Sequence, residues 1–176
     1  MILDILHWPH IALRTKCNEI TAIDKNLWAL IDDMWETMDS VKDIAAMGLA
    51  ANQVGVGIRL FIMRDSTGVK CEFLNPEWTP NGNGWACEDE GCLSSPGLFG
   101  QVQGRREKIM VKAMNRNGQK MVMKAEGIDA VCIQHEIDHL DGIFWWERMK
   151  RTPRRRMISA WKKKGGKHVV ESVSAI

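Results

Sequence analysis

The residues with the clearest chemical potential are His135-Glu136-Ile137-Asp138-His139. On a helix, side chains four apart lie on one face, so both imidazoles can reach the same divalent ion. Glu136, next to the first histidine, can approach a metal-bound water without ligating the ion itself. A catalytic site of this kind takes three protein ligands and keeps one position open. The third ligand is therefore the question. A protease pattern of the HExxHxxGxxH type places Gly142 correctly, but the position that should hold the last histidine is Trp145. A thermolysin-like pattern needs a glutamate about twenty residues beyond the second histidine. The downstream glutamates are Glu147 and Glu171, neither at that spacing.

Thiolate is a strong ligand for a borderline-soft divalent ion, which brings in the cysteines. Cys132 lies three residues before His135 in the same helix, where it can share the metal face or pack as a small hydrophobe. Cys92 lies in Glu90-Gly91-Cys92-Leu93-Ser94, ahead of Pro96-Gly97. A turn bounded by glycine can project a side chain and a backbone N–H into a cleft. Spacing leans towards Cys92 and leaves both thiols open. The residues three, four and seven before His135 are Cys132, Val131 and Ile128, which share its face. With Met47 they form either a slot for an unbranched side chain such as methionine or simply part of the core.

These residues need a scaffold. From Leu27, the apolar positions 27, 30, 31, 34, 35 and 38 trace one helical face, with Asp24 as its cap. Residues 58–64 and 69–74 read as short strands around a turn at Ser66–Gly68, and residues 108–124 as a hairpin around Asn117-Gly118. The pattern turns helical from Gly127 to Leu140, with Gly142 as the stop. Thr152-Pro153 reads as an N-cap followed by proline at the first position of a last helix, running to about Lys164. The fold class is α+β: mostly antiparallel strands packed around a central HExxH helix, with N-terminal and C-terminal helices.

Composition narrows the setting. The 176 residues are 45% hydrophobic and 26% charged, as in one ordinary globular domain, and this excludes a disordered or coiled-coil chain. The longest charge-free stretch, Ile44 to Ile58, is too short and polar to cross a bilayer, and no signal peptide opens the chain. The five cysteines (17, 71, 87, 92 and 132) do not space out as a disulfide framework, so a reducing cytoplasm is expected, with Cys17, Cys71 and Cys87 as incidental thiols. From Glu147 onward, 10 Lys and Arg face 2 Glu. Residues 1–150 read as a catalytic body and 151–176 as its basic C-terminal helix and tail. That tail is either a solvated helix or a surface for RNA phosphates.

Three segments together resemble the peptide deformylase family: Gly48-Leu49-Ala50-Ala51-Asn52-Gln53, Glu90-Gly91-Cys92-Leu93-Ser94 and Gln134-His135-Glu136-Ile137-Asp138-His139. Ile5-Leu6, Pro9 and Leu13-Arg14 extend the likeness to roughly residues 2–150. The resemblance implies a monomeric enzyme that removes the formyl group from N-formylmethionine on nascent peptides and releases formate. It implies Cys92, His135 and His139 as ligands to one divalent ion, Fe²⁺ in the cell, with Zn²⁺, Ni²⁺ or Co²⁺ as substitutes. Glu136 becomes the general base and acid, and Gln53 with the Leu93 N–H stabilises the oxyanion. Gly48 lines the floor under the substrate backbone, and Arg105 contacts that backbone. Some members dock on the ribosome through a C-terminal helix. Three positions depart from the family pattern: Ala46 stands where a glycine is expected, Asn52 where proline or threonine is usual, and His10 where aspartate is common. None is a ligand or the base, and Asn52 is expected to be inconsequential.

Overall fold

The computed structural model describes residues 1–42, 46–86 and 89–163. Cys87 and the tail beyond residue 163 lie outside the described residues. Helix α1 spans Lys25–Ser40, and Asp24 caps it by accepting from the N–H groups of Asn26 and Leu27. Five antiparallel strands form the main sheet in the order β1 (Gly48–Ala50), β2 (Leu60–Arg64), β3 (Lys70–Pro80), β6 (Lys108–Met114), β7 (Lys120–Glu126). Strands β4 (Asp89–Gly91) and β5 (Phe99–Gln101) make a separate antiparallel pair. Helix α2 spans Gly127–Leu140 and α3 spans Arg151–Lys163.

The sheet is covered on both faces, and β2 shows why. Its Leu60-Phe61-Ile62-Met63 run is apolar at every position, which suits a strand buried on both sides. Leu60 and Ile62 pack with Ile31, Met34 and Trp35 of α1, whereas Phe61 and Met63 pack with Ile133 and Ile137 of α2. Eleven consecutive residues of α2, from Ala130 to Leu140, are buried. The metal-motif helix is thus a core element, not a surface one.

Two sequence expectations change. The strand expected to stop at Leu74 continues as β3 to Pro80, because Asn75-Pro76 is absorbed as a bulge between Leu74 and Glu77. Asn75 takes a left-handed φ of 48°, and its side-chain amide bonds both the N–H and the C=O of Ile20. Thr152 is not the N-cap of the last helix. That helix already begins at Arg151, where Pro153 falls in the first turn and removes an N–H that lacks a helical partner anyway. Helix α3 rests its Met157 and Ile158 against a cluster of Leu13, Phe144, Trp145 and Trp146.

The N-terminal segment ties the site loops together. The Leu6 N–H donates to Gln53 O at 2.7 Å, and the Trp8 N–H to Ser94 O at 3.0 Å. His10 takes the capping role that an aspartate would fill, its Nδ1 accepting from the Ala12 N–H at the 3-10 turn Ile11–Arg14.

Candidate active site

Strand β4 delivers Cys92 just past its end, and one face of α2 delivers His135 and His139. Their ligand atoms all lie within 4.8 Å of one another, with Cys92 Sγ 3.1 Å from His139 Nε2. Trp145, where a protease would carry its third histidine, is buried and donates its Nε1–H to Ser95 Oγ at 2.9 Å. Cys132 is buried and lines the same cleft, but the group of side chains close enough together to share an ion is Cys92, His135 and His139.

A cleft opens beside the cluster. Gln53, Cys92, Leu93, His135 and Glu136 line it, as do Gly48, Met47, Ile128, Val131 and Cys132. Gly48 is needed for a reason the sequence did not suggest. A Cβ built on it would meet Glu136 Oε1 at 2.4 Å, so the Glu136 carboxylate lies directly on the backbone of β1. Glu136 Oε2 has no hydrogen-bond partner among the described residues. Burial raises the Glu136 carboxyl to about 7, with His135 acting in the opposite direction and Glu90 adding to the rise.

Gln53 sits in the 3-10 turn Ala51–Val54. Its Oε1 accepts the Ala50 N–H at 2.8 Å, which turns its Nε2 towards Ser94 Oγ at 3.1 Å and Cys92 Sγ at 3.4 Å. An amide N–H donor is thereby aimed at the ligand cluster.

Arg105 corrects a sequence expectation. It is only 3% exposed and is not among the residues that line the cleft. Its Nε and Nη2 donate to Glu90 at 2.6 and 2.9 Å, and its Nη1 to Asp138 at 2.6 Å. These three bonds tie Arg105 to buried carboxylates inside the protein, so its placement gives no support to the expected contact with a substrate backbone. Glu90 Oε2 also meets His135 Nδ1 at 2.7 Å, and Arg148 joins Asp138 at 2.7 Å. Burial would raise the Glu90 carboxyl, but Arg105 and His135 outweigh it and hold the group at about 2. Burial likewise disfavours charge on both histidines. At His135 the Cys92 and Glu90 partners reverse that effect and raise it, whereas His139 stays well below its usual value.

Glu90, Asp138 and Arg148 were missed as parts of the site. Glu90 was legible: a strand puts it on the same side as Cys92, two residues on, and a ligating histidine usually gives its second ring nitrogen to a carboxylate. The donor set fits a divalent ion. It offers one thiol and two imidazoles, a carboxylate already orients one of those rings, and His139 Nδ1 and Glu136 Oε2 are buried polar atoms without partners among the described residues.

A Cys/His/His donor cluster beside a buried carboxylate, under an antiparallel sheet, is the equipment of a metal-dependent hydrolase. The family model for polypeptide deformylase matches residues 2–155, and the chain belongs to that family. It is 40% identical over 168 residues to the peptide deformylase of Chromobacterium violaceum, covering 93% of this chain and 96% of the relative. A solved peptide deformylase from Legionella pneumophila superposes with a TM-score of 0.81 at 35% identity, covering 96% of this chain and all of that one. The Ehrlichia chaffeensis peptide deformylase, solved in complex with actinonin, gives 0.83 at 33% identity, covering 93% and 97%. The enzyme is a hydrolase that removes the formyl group from N-terminal formylmethionine of peptides.

Proposed function

We propose that Cys92, His135 and His139 hold one divalent ion, Fe²⁺ in the cell, and that Glu136 moves the protons of the reaction. The ion, when bound, supplies Lewis-acid polarisation of the formyl carbonyl and acidifies water at the site. Glu136 Oε2, the oxygen left without a protein partner, takes the proton of the attacking water and then gives it to the departing amine. Its raised carboxyl value suits both directions of transfer near neutral pH. The Gln53 Nε2–H and the Leu93 N–H meet the charge that develops on the former carbonyl oxygen. The substrate backbone lies extended along β1, an end strand of the sheet whose Gly48 keeps the floor flat. Its methionine side chain enters the wall of Met47, Ile128, Val131 and Cys132.

The observation that carries this reading is the convergence of three ligand atoms within 4.8 Å beside the Glu136 carboxylate. The test is formate release from formyl-Met-Ala-Ser by anaerobically purified protein, with Glu136→Ala beside the wild type and metal measured on both. Turnover in the wild type alone at matched metal content supports it. Full metal with no turnover in either protein points to a different small amide as substrate.

The proposal extends to the setting. Residues 1–150 form the catalytic body of a cytoplasmic monomer working on nascent chains. Residues 151–176 supply a basic helix and tail for ribosomal RNA, since α3 exposes Arg151, Arg155, Arg156, Lys162 and Lys163. Deleting 152–176 should spare turnover of a short formyl peptide and weaken ribosome co-sedimentation. Unchanged co-sedimentation at low salt would remove the RNA role.

A further inference from the structure

The two imidazoles of the cluster are supported in different ways. His135 is held through its ring, because Nδ1 meets Glu90 Oε2 at 2.7 Å. His139 has no such support: its Nδ1 is buried without a hydrogen-bond partner among the described residues, and its ring packs edge-on against Phe144 and His135. What holds His139 is its backbone. Its carbonyl is one of the last four of α2, without an i+4 donor in the helix, and the backbone gives it the Gly142 N–H at 3.1 Å. Asn52, 1% exposed, donates its Nδ2–H to that carbonyl at 2.7 Å and reaches Ala12 O at 3.3 Å. The next residue, Gln53, puts its own amide nitrogen 3.4 Å from Cys92 Sγ. One short turn therefore touches two of the three ligands through adjacent side chains.

We infer that Asn52 is a positioning residue for the metal centre: its amide fixes the end of α2, and so His139, against the turn that carries Gln53. The inference rests on His139 being a ligand. An amide NH₂ has two donors for two carbonyls, whereas a threonine hydroxyl has one and proline none. Asn52 Oδ1 is buried without a partner among the described residues, so the bonds it is seen to make are those of its amide donors.

The test compares the full-length protein with Asn52→Asp, Asn52→Thr and His139→Ala. The readouts are Zn²⁺ affinity by chelator competition, the absorption spectrum of the Co²⁺-loaded protein, and the melting temperature of the metal-free protein. Asn52→Asp keeps the shape but sets a carboxylate oxygen against the His139 carbonyl. It should weaken Zn²⁺ binding about 10–100-fold, the usual loss when support behind a ligand is removed, and alter the Co²⁺ bands. Asn52→Thr retains one donor and should fall between the two. A role confined to folding would lower the metal-free melting temperature and leave metal affinity and spectrum alone. If both Asn52 variants bind Zn²⁺ within twofold of wild type while His139→Ala does not, the inference is overturned. If His139→Ala itself binds like wild type, the ligand assignment beneath it fails, and the inference with it.

Discussion

The surroundings of the two histidines on the metal-motif helix are built on opposite principles. Behind His135 stands a charged array in which buried Glu90, Arg105 and Asp138 run out to Arg148 at the surface. Around His139 and Cys92 the support is neutral: the Asn52 and Gln53 amides, the Ser94 hydroxyl and the ring of Phe144. The charged side pairs its carboxylates and guanidiniums with one another and with His135, so its polar groups are largely spent on holding that ring. The neutral side leaves donors and a bare carboxylate facing the cleft, which is where a reacting carbonyl needs them. Charged and neutral support are thus divided between two histidines that share one face of the helix.

The sharpest way to break the reactive side is Gly48→Ala. The added methyl would sit 2.4 Å from Glu136 Oε1 and 2.8 Å from its Cδ. A flexible carboxylate can swing away at small cost to folding, but it then leaves the position from which it moves protons. Activity should fall about 10²–10⁴-fold, the contribution of a positioned acid–base group. Metal content and melting temperature should stay near wild type. Turnover within threefold of wild type would show that the seat of Glu136 on β1 is not what fixes it.

Arg105→Ala attacks the charged side and separates two roles for the same residue. If Arg105 held substrate, as its place in the sequence suggested, the change would raise KM and leave stability alone. Its burial between Glu90 and Asp138 predicts the reverse: two buried carboxylates lose their shared cation, at a cost of about 3–5 kcal/mol. Chemical denaturation of wild type and variant decides between these outcomes. An unchanged midpoint with a raised KM would return Arg105 to the cleft.

Arg105 also marks where the sequence stops being legible. The motif residues could be read because helix and strand periodicity place side chains on faces: His135 with His139, and Cys132, Val131 and Ile128 beside them. The long elements were equally readable from their apolar repeats and caps, as Asp24 on α1 and Asn117-Gly118 between β6 and β7 illustrate. What periodicity cannot supply is which distant charges meet. Arg105 and Asp138 lie 33 positions apart, and the next residue, Arg106, is tied to α2 by Gln134, which receives its N–H at 2.9 Å and donates to its carbonyl at 2.8 Å. The short pair β4–β5 was missed for a related reason: three-residue strands carry too little alternation to signal themselves. The bond of Asn52 to the His139 carbonyl leaves no local trace in the sequence, because the two residues are 87 positions apart.

Gln53→Leu sharpens the comparison with a smaller effect. Removing one preorganised donor to an oxyanion typically costs about 10²–10³ in rate. Because leucine also abandons the bond to the Ala50 N–H, a modest loss of stability should accompany it. Zn²⁺ affinity should hold, since Gln53 contributes no ligand. Full activity in this variant would remove Gln53 from the reaction, and lost metal would make it a structural support of Cys92.

The smallest effect belongs to Cys132, and it tests whether the two thiols differ as the geometry says. Cys132 lines the cleft from α2, three residues from a ligand, yet its sulfur lies outside the cluster that Cys92 completes. Burial pushes its thiol well above the ordinary value, which keeps it protonated and a poor ligand. Cys132→Ala should therefore retain one metal per chain and lose only the packing of a small buried side chain, on the order of 1 kcal/mol. Turnover should shift a few-fold at most, and more for formylmethionyl than for formylalanyl peptides, because the enlarged wall matters only to a side chain that reaches it. Cys92→Ala, measured beside it, should lose the metal altogether. Equal metal loss in both variants would mean that the helix thiol competes for the ion, and the division between ligand and wall would have to be redrawn.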